Sequence, residues 1–175
     1  EDIELRSALS TAYFNSENYD EALNHALCVI ELDEKDPQAY CNLGSCYSAQ
    51  NMVDEAVKTF QKASEIDPEY SLPHTNLGSL YATIGRLEKA IKEFKIATNM
   101  NASDALAWMN LNSLYKEVGR MDDAQEAYKK YESLMNQGSQ TEDHSNIPGG
   151  VSSSGELASG GNLDTASPGM EELTS

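Results

Sequence analysis

Residues 39–47 read "AYCNLGSCY", residues 73–81 "PHTNLGSLY" and residues 107–115 "AWMNLNSLY". The leucine and the final tyrosine of each stretch stand four apart, so on a helix they share a face, as a packed core requires. Asn42, Asn76 and Asn110 recur with them, although an amide fills a core poorly because it loses its water on burial. The period decides the architecture. Tyr13, Tyr47, Tyr81 and Tyr115 are 34 residues apart each time, as are Leu9, Leu43, Leu77 and Leu111, and Ala22, Ala56, Ala90 and Ala124. A fixed period of that length without insertions marks stacked copies of one supersecondary unit.

Each unit divides into two helices. The first carries the Leu/Tyr face, and a turn follows in "NSENYD", "AQNMVD", "TIGRLE" and "EVGRMD". Gly85 and Gly119 hold the place in this turn that favours φ > 0, and Glu17 and Asn51 hold it in the first two copies. The second helix opens with acids, Asp20-Glu21, Asp54-Glu55, Glu88 and Asp122-Asp123, which suit the positive end of a helix dipole. Its apolar stripe runs through Ala56, Phe60, Ala63 and Ile66, and again through Ala90, Phe94, Ala97 and Met100. Pro37 and Pro68 bar a continuous helix across the joints between copies. Gly44 and Gly78, with Ala56 and Ala90 on the following helices, mark close helix crossings.

Tyr40, Leu43, Gly44, Tyr47, Ala56, Phe60 and Pro68 in the second copy, and Trp108, Leu111 and Tyr115 in the fourth, follow the pattern W-x2-L-G-x2-Y … A-x3-F … P. The chain thereby resembles the tetratricopeptide-repeat family. The resemblance implies an all-α fold, a right-handed α-solenoid of helix-turn-helix repeats at 3-36, 37-70, 71-104 and 105-136. Arg6 and Ala26 depart from the aromatics of the pattern, and Asn112 from its glycine, which predicts a looser fourth pair. His74 falls in an aromatic column and is expected as a packed ring, not a base. Residues 137–175 are rich in Gly and Ser and lack Lys, Arg and aromatics, so a disordered acidic tail is expected there.

At about 100° per residue, the asparagine column lies away from the Leu/Tyr face. Gln38 and Ser45, Leu72 and Ser79, and Leu106 and Ser113 share its side, and Cys41, Thr75 and Met109 border it. In the resembled family this side of the first helix lines a concave groove. The expected groove is then an amide column, Asn42, Asn76 and Asn110, beside a hydroxyl column, Ser45, Ser79 and Ser113, with Leu72 and Leu106 as apolar contacts. The first repeat offers Ala8 and Thr11 instead. A primary amide has two donors and an acceptor. One amide per repeat can therefore follow the N–H and C=O groups of an extended peptide whatever its side chains. Alternatively, the amides bond only between neighbouring helices or to water.

The column resembles the asparagine ladder of O-GlcNAc transferases, which leaves open a substrate-selecting arm of a larger glycosyltransferase. A structural spacer, or a co-chaperone-type adaptor without a carboxylate clamp, is a further alternative. Co-chaperones of the family grip a chaperone's C-terminal carboxylate with Lys, Asn, Asn, Lys and Arg. Those positions fall here on Ser7, Thr11, Asn42, Leu72 and Asn76, or one repeat on, on Cys41, Ser45, Asn76, Leu106 and Asn110. Neither register holds a cation, so capture of a heat-shock chaperone by such a clamp is not expected.

The formal net charge is −17. Phosphates would be repelled, so neither nucleic acid nor an anionic membrane is an expected partner. No apolar run nears the roughly 18 residues of a membrane span, and the opening "EDIELRSALS" has no apolar leader core. Glu1 in place of Met points to a fragment or a processed product. Cys28, Cys41 and Cys46 build no disulfide framework, and reduced thiols predict the cytoplasm, with the nucleus as an alternative. Lysines such as Lys58, Lys62, Lys89, Lys92, Lys95, Lys129 and Lys130 gather on second helices and read as a solvated face. In the sequon Asn101-Ala102-Ser103, the serine is expected as a helix N-cap. With His25, His74 and His144 scattered, no nucleophile is seen beside a base and no metal ligand set is seen. The expectation is a non-enzymatic scaffold or adaptor with no cofactor and no metal, binding another protein through an extended peptide segment.

Overall fold

The computed structural model describes residues 2–139. Of the tail expected over 137–175, the part from 140 onward lies outside the described residues. Among the described residues there are eight helices and no strand: α1 (Ile3–Asn15), α2 (Tyr19–Leu32), α3 (Pro37–Ala49), α4 (Val53–Ile66), α5 (Leu72–Thr83), α6 (Leu87–Met100), α7 (Ala105–Glu117) and α8 (Met121–Ser139). Consecutive helices pair, α1 with α2 through α7 with α8, and each pair packs on the next. This is the all-α solenoid that the period implies. Helix α8 runs on to Ser139, past the expected boundary at 136.

Side-chain carboxylates start three of the four first helices. Asp2 Oδ1 accepts from Leu5 N at 3.2 Å, Asp36 Oδ1 from Gln38 N at 2.8 Å, and Asp104 Oδ1 from Ala107 N at 2.9 Å. Ser103, expected in the capping role, lies one residue too early. Its N–H and hydroxyl both donate to Asn101 Oδ1, at 3.1 and 3.0 Å. The charged acceptor next to it is the better match for the helix N-terminus. Similar turns end the earlier second helices, with Lys35 N donating to Asp33 and Glu69 N to Asp67. These are Asx turns, which stop a helix by giving its next N–H a side-chain partner.

The turn inside each pair passes through left-handed backbone at Glu17, Asn51, Gly85 and Gly119, with φ of 61°, 60°, 73° and 78°. The next N–H, of Asn18, Met52, Arg86 or Arg120, then donates to the carbonyl of Tyr13, Tyr47, Tyr81 or Tyr115 at 2.8–2.9 Å. That bond closes a Schellman motif. The tyrosine column thus holds the turn with its backbone while its rings fill the pair.

Where the helices of a pair cross, one supplies a glycine and the other a ring. A Cβ at Gly44 would stand 2.6 Å from Phe60, and one at Gly78 would stand 2.8 Å from Phe94, both rings being buried. The first repeat has Ser10 and Ala26 at these positions, both buried, and the Ser10 hydroxyl donates to Ala22 O at 2.9 Å. A larger residue on one helix is matched by a smaller one on the other. The fourth repeat breaks this match with Asn112 and Tyr128. Asn112 is buried with no hydrogen-bond partner for its Oδ1, and Tyr128 remains 45% exposed. Helix α7 nevertheless packs on α8 as closely as the helices of the other pairs do, so the looser fourth pair expected from Asn112 is not seen.

Gly78→Ala sets helix propensity against packing. Alanine is the better helix former by roughly 0.5–1 kcal/mol, but its methyl must displace the Phe94 ring, and overpacking costs about 1–3 kcal/mol. Urea unfolding should report a net loss of stability; an unchanged midpoint would show that the crossing does not need the glycine. Asn112→Gly combined with Tyr128→Phe rebuilds the internal pair in the fourth repeat. Relief of an unsatisfied buried acceptor is worth about 1–3 kcal/mol, against about 0.8–1.0 kcal/mol for glycine in a helix. The midpoint should rise or hold, and a clear fall would contradict this account of the fourth crossing.

Candidate functional site

Asn42, Asn76 and Asn110 lie at one helical phase on α3, α5 and α7, and all three are half-buried. Their bonding differs. Gln38 Nε2 donates to Asn42 Oδ1 at 2.8 Å, and Gln38 Oε1 accepts from the Tyr70 hydroxyl. This chain fixes the Asn42 carbonyl and leaves its two N–H donors uncommitted. Asn76 and Asn110 make no side-chain hydrogen bond to any described residue. The column therefore ties no two helices together directly.

The hydroxyl column is uniform. Thr11, Ser45, Ser79 and Ser113 donate to the carbonyls of Ser7, Cys41, Thr75 and Met109, at 3.2, 2.9, 3.1 and 3.2 Å. Each hydrogen is turned back into its own helix, so the outer side of each oxygen offers only lone pairs. Asn42 and Ser45, with Ser10, Thr11 and Phe14, line a hollow of about 70 Å³. Asn76 and Ser79, with Ser45, Phe14 and Leu80, line an adjoining one of about 210 Å³. None of the residues lining these two hollows is charged. A third hollow beside them, holding Ser7, Thr11 and Gln38, is edged by Glu4 and Asp36. Asn110 and Ser113 continue the columns on α7 but line neither of the first two hollows.

Phe14 was not among the residues expected at the site, yet it lines both hollows and packs its ring on Tyr19, centroids 5.5 Å apart. Ser48, Ala82 and Lys116 stand in its place in later repeats, so a search for recurring columns passes over it. An aromatic on α1 off the Leu/Tyr face was the available signal.

Cys41 and Thr75, expected at the groove border, are buried at 1% and 6% exposure. The following repeat covers their column, and Thr75 Oγ1 donates across that joint to Asp104 Oδ2 at 3.2 Å. Met109, the next member, is open because no described repeat follows it. Burial pushes the Cys41 thiol up to about 12, with nearby Asp36 adding to the effect, and pushes the Cys46 thiol to about 11. Both stay protonated at neutral pH and are poor nucleophiles. Leu72 is half-buried, whereas Leu106 is exposed.

His74 is more than a packed ring. Its Nδ1 lies 2.8 Å from Glu93 Oε2 and its Nε2 lies 3.2 Å from Ser64 Oγ. A serine, a histidine and a carboxylate that were not expected together thus meet where α4, α5 and α6 join. Ser64 sits inside α4, where backbone N–H groups are engaged in the helix and cannot receive an oxyanion. The array links three helices and lacks the donors that acyl transfer needs. Among the described residues, no group of three or more His, Cys, Asp or Glu could hold a metal ion, and no helix is long and apolar enough to cross a membrane.

Family models of the tetratricopeptide repeat match residues 37–70, 59–92 and 105–134. No curated protein matches the chain. Solved structures do. MamA is 21% identical, with 79% of this chain and 81% of that one covered at a TM-score of 0.69. A thermophilic TPR protein of Thermus thermophilus is 20% identical, covering 80% and 81% at 0.68. The TPR domain of Arabidopsis OM64 is 19% identical, covering 66% and 95% at 0.60. At these identities the likeness speaks for the fold alone. Repeats of this family are, in general, protein-interaction modules. The 34-residue period, the glycine-and-ring crossings and the repeat matches lead to one conclusion: the chain is a tetratricopeptide-repeat protein.

Proposed function

We propose that this chain binds another protein by holding an extended peptide segment along the face of α3, α5 and α7, through Asn42, Asn76 and Asn110. The observation that carries the reading is that the amides of Asn76 and Asn110 are half-exposed and bond to no described residue. A helix-bridging role would have given them partners. The serine column adds acceptors in register: its lone pairs face outward and can take peptide N–H groups, while the amide nitrogens take peptide carbonyls. Such contacts read the backbone and tolerate many sequences. The hollows beside Phe14 and Leu80 can receive an apolar side chain. Glu4 and Asp36 at one edge favour a basic residue there and disfavour a peptide carboxylate.

The test uses a peptide selected from a random display library and retained for shifting the side-chain amide signals of Asn76 in NMR. Each free amide should contribute about 0.5–1.5 kcal/mol, so replacing all three asparagines by alanine should weaken binding by roughly one to three decades. Asn42→Ala alone should do least, because its carbonyl already serves Gln38. Melting should barely change, and for a peptide without charged side chains added salt should have little effect, because the amide and hydroxyl contacts are uncharged. Undiminished affinity in a folded triple variant would withdraw the proposal.

A further inference from the structure

The larger hollow, of about 210 Å³, is lined by two kinds of group. Phe14, Phe60 and Leu80 give it apolar walls, and Ser45, Ser79 and Thr83 contribute hydroxyls. The lining comes from α1, α3, α4 and α5, and α3 packs on each of the other three. All three hydroxyls are committed as donors. Ser45 Oγ donates to Cys41 O at 2.9 Å, Ser79 Oγ to Thr75 O at 3.1 Å and Thr83 Oγ1 to Ser79 O at 2.9 Å. Each oxygen keeps lone pairs but has no hydrogen to give. None of the residues lining the hollow is charged. An occupant therefore meets two conditions. A purely apolar side chain would strip water from those acceptors without replacing it. A guanidinium or ammonium would lose its own water with no carboxylate to receive it. An aromatic ring with an N–H or O–H at its edge satisfies both the walls and the oxygens, because its donor ordinarily finds a partner on burial.

We infer that the groove anchors its partner through a tryptophan or tyrosine side chain seated in this hollow, with Phe14 against the ring and Ser45, Ser79 or Thr83 accepting from its donor. The inference rests on the proposed reading of the groove as a peptide site, and adds which side chain that peptide must carry. The anchor comes from another molecule: residues 140–175 contain no aromatic residue, so the chain's own C-terminal segment cannot supply it. Phe14 determines the specificity. Its column continues as Ser48, Ala82 and Lys116, so of these four repeats only the first puts a ring there.

Capped amino-acid amides test the hollow without a peptide. The probes are N-acetyl-tryptophanamide and its 1-methylindole counterpart, N-acetyl-tyrosinamide and N-acetyl-phenylalaninamide, and N-acetyl-argininamide. Each is titrated into the full chain and followed by NMR at the Leu80 methyls and the Asn76 side-chain amide. A donor probe should bind roughly two- to twelvefold tighter than its counterpart without the donor, which is the net worth of one neutral hydrogen bond. The arginine probe should bind least. Phe14→Ala should weaken the aromatic probes by a similar factor. Ser45→Ala, Ser79→Ala and Thr83→Val combined should abolish the advantage of the donor, and this second variant decides the matter should Phe14→Ala disturb α1, with circular dichroism checking the fold of both. A synthetic peptide of residues 140–175 should not displace the tryptophan probe. The inference is overturned if neither donor probe exceeds its counterpart, if the arginine probe binds best, if the donor advantage survives in the hydroxyl variant, or if the 140–175 peptide displaces the probe. The triple asparagine variant keeps the two readings apart. Undiminished binding of the selected peptide there sinks the backbone reading and leaves the anchor standing, whereas equal probes on wild type sink the anchor and leave the backbone reading.

Discussion

The closeness of the helix crossing within each pair governs the rest of the molecule. At Gly44 and Gly78 the opposing phenylalanine ring occupies the space that a Cβ would need. This seats Phe60 and Phe94 fully in the core and sets the distance between the two helices of a repeat. Repeats couple only to their neighbours, so the same distance also sets how far the first helix of one repeat stands from that of the next. Ring, glycine and inter-repeat spacing form one constraint. The candidate groove, whose asparagines and serines all stand on first helices, inherits its spacing from it. The end repeats show the constraint relaxed in two ways: Ser10 with Ala26 conserves the volume, while Asn112 with Tyr128 does not.

Polar side chains at the joints add direction to that packing. Thr75 donates to Asp104 across one joint, and Tyr70 donates to Gln38 across another. His74 bridges Ser64 and Glu93 where α4, α5 and α6 meet. Apolar contact tolerates small slides, but hydrogen bonds weaken steeply with misalignment, so these links fix the register of one repeat on the next. One of them reaches the candidate site directly. The Tyr70–Gln38 bond orients Gln38, which in turn holds the Asn42 carbonyl.

The acidity of the chain has a largely structural origin in the described part. Asp2, Asp36 and Asp104 cap helices, Asp33 and Asp67 form the Asx turns that stop them, and acids open the second helices. Carboxylates at those positions answer to unpaired backbone N–H groups and to the helix dipole. The two hollows beside the asparagines carry no charge at all. Many of the described carboxylates thus serve helix starts and turns, while the candidate groove beside the asparagines is uncharged in these two hollows.

The sequence by itself determined the helices, their pairing and their turns. A spacing of 34 residues, apolar positions four apart and a residue suited to φ > 0 at Glu17, Asn51, Gly85 and Gly119 act within one repeat, where local backbone preference and helix phase suffice. Helix phase also put Asn42, Asn76 and Asn110 on one side of their helices, as the structure has them. Tertiary structure decided what covers that side. Cys41 and Thr75 have the same phase as Met109, yet two are buried and one is open, because phase fixes an angle about a helix axis while burial depends on the neighbouring repeat. Ser103 and Asp104 are both competent caps, and the start of α7 chose between them. Phe14 entered the hollows from a repeat that breaks the column pattern. The serines could have offered a proton or lone pairs, and only the positions of the carbonyls behind them gave the answer. In every one of these cases the deciding partner lies outside the residue's own helical phase, in a neighbouring helix or in the backbone beneath it.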